Sequence, residues 1–184
     1  MKERFEPMKQ SNVRSLVFAA MMAAVIVVCA WIAIPLPGNL VPISLATFAV
    51  MMSGLLLGWK WGGAAVAVYI LLGAVGVPVF AKFQSGIGTL LGATGGYIVG
   101  YLPCAMLAGL PVKGLQKNYG GRIALLLAGT IACYALGTVW FMHVTARGLA
   151  ESLGLCVLPF LPGDAAKILL SAALAPALRK AMKV

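Results

Sequence analysis

Apolar positions along this chain come in long unbroken runs, punctuated by short clusters of proline, glycine and basic residues. From Leu16 to Trp59 no residue is charged. A membrane-spanning helix needs roughly 20 apolar residues, so this one run holds two spans and a short turn. Continued along the chain, the pattern predicts six helices, at about 15–34, 43–58, 61–77, 94–110, 122–145 and 158–178. Pro35-Leu-Pro37-Gly38 closes the first and Pro78 the third, as expected of residues that cannot continue a helix. The segment from Ala81 to Gly88 is glycine-rich and less apolar, and reads as a loop. Residues 1–13 form a short polar leader to the first helix. A basic start, Lys9 and Arg14, gives that helix the look of a signal peptide, but the apolar run is too long and a second span follows almost at once, so the helix is expected to be retained.

Composition agrees. Only 10% of the 184 residues are charged, against about 25% in soluble domains. This is an all-α integral membrane protein, with no segment left over for a separate soluble domain. The net charge of +10 could point to nucleic acid. Its placement favours topology instead. With the N-terminus in the cytoplasm and six spans, eleven of the 14 bases lie on the cytoplasmic side (Lys2, Arg4, Lys9, Arg14, Lys60, Lys113, Lys117, Arg122, Arg179, Lys180, Lys183). Only Lys82 and Arg147 lie outside. That asymmetry predicts both termini in the cytoplasm and membrane lipid, not nucleic acid, as the surroundings. Trp31 and Trp140 then fall near external helix ends, and Trp59 and Trp61 at an internal turn, where indoles anchor.

The remaining base is the informative one. Lys167 stands three residues after Asp164 within an apolar stretch, Leu158-Pro-Phe-Leu-Pro-Gly-Asp164-Ala-Ala-Lys167-Ile-Leu-Leu. Each charge costs roughly 2.5–3.5 kcal/mol near the middle of a spanning helix. Residues three apart share a helical face, so the two side chains can meet. Pro162 suits the first turn of a helix, which puts Asp164 where the helix dipole favours an anion. The pair predicts a polar-ligand site open to the outside; the competing explanation is a salt bridge that pins the last helix. Phe80, Lys82 and Gln84 in the 77–88 segment, Tyr97 on the fourth helix, and Ser44 and Thr47 at the start of the second fall on the same side. Enzyme chemistry has little support. There is no Gly-Lys-Ser/Thr nucleotide loop, no Gly-x-Ser-x-Gly and no His-Glu-x-x-His, and the single histidine is His143. Of the four acids, Glu3, Glu6, Glu151 and Asp164, only the last is expected to be buried. Cys29, Cys104, Cys133 and Cys156 lack CxxC spacing and read as small buried hydrophobes, so neither a metal nor another cofactor is expected. Ala19 with Ala23, and Ala20 with Ala24, form small-xxx-small pairs on the first helix. They suit close packing inside the bundle or docking of a separate membrane subunit.

Four motifs together resemble the BioY family, the biotin-specific substrate-capture (S) components of energy-coupling-factor (ECF) transporters. They are Val41-Pro-Ile-Ser-Leu-Ala-Thr47, Leu71-Leu-Gly-Ala-Val-Gly-Val-Pro-Val-Phe80, Leu91-Gly-Ala-Thr-Gly-Gly-Tyr97 and the Leu158–Lys167 stretch. The resemblance covers about Arg14 to Leu178. It implies a subunit that binds biotin from outside and reorients in the membrane. A transmembrane coupling protein and a pair of ATPases would drive it, so ATP is used by partners only. It implies that Asp164 accepts the ureido N–H groups, that Lys167 binds the ureido carbonyl or the carboxylate, and that Tyr97 packs on the ring system. Lys82 would attract the biotin carboxylate, and the alanine face of helix 1 would meet the coupling protein. The chain departs from the family pattern at Ala46, where many members have glutamine, and at Ala93, where proline is common. Capture of another small vitamin, and a structural role in the membrane, are the alternative readings.

Overall fold

A computed structural model describes residues 12–34, 41–112, 114–116 and 118–182; most of the leader and the Pro35–Gly38 closure lie outside these. Among the described residues there are seven α-helices: α1 (Asn12–Trp31), α2 (Ala46–Ala74), α3 (Ile87–Leu91), α4 (Gly95–Ala108), α5 (Tyr119–Thr145), α6 (Leu149–Cys156) and α7 (Leu161–Ala181). A two-residue pair, β1 (Ala33–Ile34) with β2 (Ile43–Ser44), joins α1 to α2 in antiparallel register, Ala33 opposite Ser44. α1, α2, α5 and α7 are long and apolar enough to cross a membrane, and α4 is apolar but shorter.

The expected second and third helices are one continuous assignment, α2, broken in its backbone at Gly58. There φ is 78°, a left-handed value that glycine alone adopts without strain. The chain reverses at this point. A Cβ built on Gly62 would stand 2.7 Å from the Cα of Gly54, although eight residues of straight helix span about 12 Å. α2 is therefore an antiparallel pair of arms meeting at the 58–61 turn, where the sequence pattern put it. The turn closes on the end of α4, with the Trp59 N–H donating to the Gly109 carbonyl at 3.1 Å.

Other boundaries moved. The first helix stops at Trp31, not residue 34, because Ile34 precedes a proline and that position disfavours helix; it pairs as a strand instead. α2 begins at Ala46 and not at residue 43, because Ile43 and Ser44 are taken up by the β2 pairing. Its second arm ends at Ala74, not 77, since Gly76 takes φ 103° just past the end and Val77 is followed by Pro78. The expected 81–88 loop holds a 3₁₀ turn at Ala81–Phe83 and the start of α3. α4 is shorter than 94–110. α5 begins three residues earlier than expected, and α7 is shifted three residues towards the C-terminus of the 158–178 prediction. The run before α7 contains α6, an unexpected short helix supported by the Arg147–Glu151 ion pair at 2.6 Å, four residues apart.

Glycines bring the helices together. Along the α4–α5 seam, Gly96 faces Trp140, Gly100 faces the Cys133 backbone, Gly129 faces the Cys104 carbonyl and Gly137 faces the Tyr97 ring. An added Cβ at each would lie 2.2–3.1 Å from its neighbour. Such small-residue seams are how helices associate where lipid supplies no hydrophobic drive.

Two arginines complete the basic end. The Ala172 carbonyl has no helical donor, because the residue four on is Pro176, and Arg122 Nε donates to it at 2.9 Å. The Leu55 carbonyl loses its donor when Trp59 turns to Gly109, and the Arg179 guanidinium covers it, with Nε at 2.7 Å. At the opposite end, Trp31 Nε1 donates to the Pro78 carbonyl at 2.9 Å and Trp140 Nε1 to the Gly92 carbonyl at 3.0 Å.

Candidate functional site

Asp164 and Lys167 lie in the first two turns of α7, with Pro162 ahead of them in the first turn. Their i,i+3 spacing turns both towards the bundle. They are 4% and 7% exposed, and Lys167 Nζ stands 2.8 Å from Asp164 Oδ1. A buried ion pair is tolerated only when its remaining donors and acceptors are met. Here they are. Lys167 also donates to the Ser44 carbonyl at 2.7 Å and to Thr47 Oγ1 at 3.0 Å. The Thr47 hydroxyl donates in turn to Asp164 Oδ1 at 3.4 Å, and the Tyr134 hydroxyl donates to Asp164 Oδ2 at 2.5 Å. Four elements, β2, α2, α5 and α7, thus converge on one network.

Beside it is a small cavity, open at its mouth. Ser44 and Ala46 form the wall nearest the ion pair. Tyr69 of α2 and Tyr97 and Tyr101 of α4 supply aromatic faces, and Phe80 and Gln84 close it from the α2–α3 connection. Ser44 is common to both features: it lines the cavity and holds Lys167. Phe80 is held tightly. Its ring rests on Gly73, where a Cβ would come within 2.0 Å of it, and meets Tyr69 edge-on at 5.5 Å. The Tyr97 ring rests on Gly137, and its hydroxyl lies 3.1 Å from Thr138 Oγ1. A small pocket with an apolar, aromatic body and a few converging polar groups at one wall is the usual form of a small-molecule site.

The predicted site residues divide accordingly. Asp164, Lys167, Ser44 and Thr47 share the network; Ser44, Phe80, Gln84 and Tyr97 share the cavity. Lys82 joins neither: it is exposed in the 3₁₀ turn with φ 58°. Tyr134, Tyr69 and Tyr101 were not anticipated. Their signal was a phenol within an apolar span, where the hydroxyl requires a partner. On α1 the alanine pairs separate by face. Ala19 and Ala23 are buried against the bundle, whereas Ala20 and Ala24 are exposed. Among the described residues, no group of three or more His, Cys, Asp or Glu side chains is placed to hold a metal ion.

The comparisons with known proteins follow this geometry. The family model described as "BioY family" matches residues 1–184. The chain belongs to the BioY family. A Thermotoga maritima relative, "Biotin transporter BioY", is 38% identical over 91% of this chain and 96% of its own. Relatives of the same name from Rhodobacter capsulatus and Lactococcus lactis subsp. cremoris are 35% and 33% identical, over 86% and 92% of this chain and 89% and 92% of their own. Among solved structures, the 2.1 Å crystal structure of "the S-component for biotin from an ECF-type ABC transporter" superposes with a TM-score of 0.85. It is 32% identical and covers 93% of this chain and 95% of its own. This member of the BioY family carries the Asp164–Lys167 network and the aromatic cavity side by side.

Proposed function

We propose that this chain is the substrate-capture component of a biotin uptake system in a prokaryotic plasma membrane, taking biotin from the external side. The observation that carries the reading is the buried Asp164–Lys167 pair set beside a small aromatic-walled cavity. Biotin offers a ureido ring with two N–H donors and one carbonyl, a fused apolar ring and a carboxylate tail. A carboxylate and an ammonium at one wall match the ureido ring, and aromatic faces match the rest. In this reading Asp164 accepts the ureido N–H groups, and Lys167 binds the ureido carbonyl or the carboxylate. Ser44 and Thr47 hold Lys167, Tyr97 and Phe80 pack on the rings, and Gln84 and Lys82 stand on the entry side.

The 184 residues act as one membrane domain of six spans with both termini cytoplasmic. The reversal at Gly58, which makes two arms of α2, and the eleven-to-two division of bases support that topology. The subunit has no ATPase of its own and needs no cofactor. An ECF coupling protein and its ATPase pair supply the drive, and the exposed Ala20–Ala24 edge of α1 is the docking face. Replacing both by leucine is expected to abolish co-purification with the coupling protein while biotin binding stays within about twofold. Weakened biotin binding would instead place those alanines in the fold.

Titration of the purified protein with biotin tests the central reading. Saturable binding at nanomolar to low-micromolar concentration, competed poorly by thiamine or riboflavin, is the expected result. A folded protein that binds none of these would leave the ion pair as a helix pin only, and tighter binding of another vitamin would reassign the pocket.

A further inference from the structure

Tyr134 contributes to no cavity wall named above, yet it makes the shortest contact to the Asp164 carboxylate. Its hydroxyl reaches across from α5 to Oδ2 at 2.5 Å, whereas Lys167 and Thr47 both sit on Oδ1, at 2.8 and 3.4 Å. The carboxylate is thereby held at both ends, Oδ1 from α7 and α2 and Oδ2 from α5. A hydroxyl donating to an ionised carboxylate is a charge-assisted bond, short and about twice as strong as a neutral one. Without it, the carboxylate could turn about its Cβ–Cγ bond, with the flexible Lys167 ammonium following Oδ1.

We propose that Tyr134 is a positioning residue for ligand recognition: it fixes the plane of the Asp164 carboxylate so that the carboxylate meets the ligand's paired N–H donors. This rests on the biotin reading above. An incoming donor must find room on an oxygen that already has partners. An ionised carboxylate offers about four lone-pair sites, and three are taken. The fourth lies on Oδ2, beside Tyr134, and the weakest of the three donors is Thr47 at 3.4 Å. A pair of ligand N–H groups therefore occupies the open site on Oδ2 and displaces Thr47 from Oδ1. Tyr134 and Lys167 stay in place, and the phenol sets which way the open site points. The Thr47 hydroxyl released in this way remains an acceptor for Lys167, at 3.0 Å.

The test compares Tyr134→Phe with the unaltered protein, using biotin and the two cyclic carbamate analogues in which a ring oxygen replaces one ureido N–H. Affinities are read by competition against labelled biotin. The phenylalanine keeps the ring and removes only the donor. Biotin affinity is expected to fall about 10- to 100-fold, the range for loss of one hydrogen bond to a charged group. For the carbamate lacking the N–H that meets Oδ2, the variant and the unaltered protein should agree within about threefold, because the orientation Tyr134 supplies no longer has a donor to serve. Equal losses for biotin and both carbamates would make Tyr134 a support of the fold and overturn the assignment. So would an unchanged biotin affinity, or a variant that no longer folds. If the unaltered protein binds no biotin at all, the functional reading itself falls, an outcome distinct from each of these.

Discussion

Asp164→Asn should weaken biotin binding by at least about 100-fold while the protein still folds. The substitution keeps the shape and removes the charge. Three hydrogen-bonded donors surround this carboxylate, from Lys167, Thr47 and Tyr134. The neutral amide can satisfy fewer of them, and its NH₂ group presents donors where the ligand also presents donors. Each hydrogen bond to a charged group contributes about 1.5–3 kcal/mol, so losing two ureido contacts corresponds to roughly 10²–10⁴ in affinity. Stability should fall as well. Lys167, 7% exposed, would keep only the Ser44 carbonyl and Thr47 Oγ1 as partners, and breaking a buried pair from one side costs about 3–5 kcal/mol. Calorimetric titration and thermal unfolding in detergent separate the two effects. A double variant, Asp164→Asn with Lys167→Met, removes the stranded ammonium. It should recover much of the lost melting temperature and none of the biotin affinity. Recovery of binding in the double variant, or normal binding in the single one, would show that the pair pins α7 and recognises nothing.

Why the pair could be read from sequence and its partner Tyr134 could not is a matter of how much each residue stands out chemically. A carboxylate and an ammonium three residues apart in an apolar run are costly enough that an interior location follows almost by elimination. Their neighbours depend on which helices pack together. Nothing in the α5 run around Tyr134 says that it faces α7, since the same phenol could serve as an interfacial anchor or pack in the core. Tyr69 and Tyr101 were hidden in the same way. Ser44 and Thr47 were legible because they stand at the start of the second helix, on the side that Asp164 faces. Lys82 was expected in the external loop, where it could attract the biotin carboxylate; the loop is a 3₁₀ turn in which Lys82 is exposed, while Phe80 just before it packs onto Gly73. The fold was legible at its breaks more than at its ends. Gly58 and Pro78 mark chemical discontinuities, whereas α6 lies in a run whose apolar content does not distinguish one helix from two. The alanine stripe shows a further limit: four small residues were visible, but their division into a buried pair and an exposed pair follows from the angle at which α1 meets α2.

Replacing Gly54 by alanine should disturb the fold strongly for a single added methyl group. Three glycines, Gly54, Gly62 and Gly109, meet where the two arms of α2 cross the end of α4. A Cβ on Gly54 would lie 2.2 Å from the Ala105 carbonyl oxygen and 2.9 Å from the Ala108 Cβ. The neighbours are backbone and a short side chain, which cannot swing away as the end of a flexible one can. Overpacking a well-filled core costs about 1–3 kcal/mol when side chains can adjust; here α4 must move from α2, so about 3 kcal/mol or more is expected. The consequence should reach the ligand. The arm that carries Gly54 starts at Ala46, next to Ser44 and Thr47, which hold Lys167. Displacing this arm along its length shifts those acceptors relative to α7, and biotin affinity should fall together with the melting temperature. Gly154→Ala is the control, since a Cβ there meets nothing within 4 Å; it should leave biotin affinity unchanged and the melting temperature no lower. If Gly54→Ala melts and binds like the control, the close crossing of α2 and α4 is not what holds the second span against the site, and the position of Thr47 must be set from β2 alone.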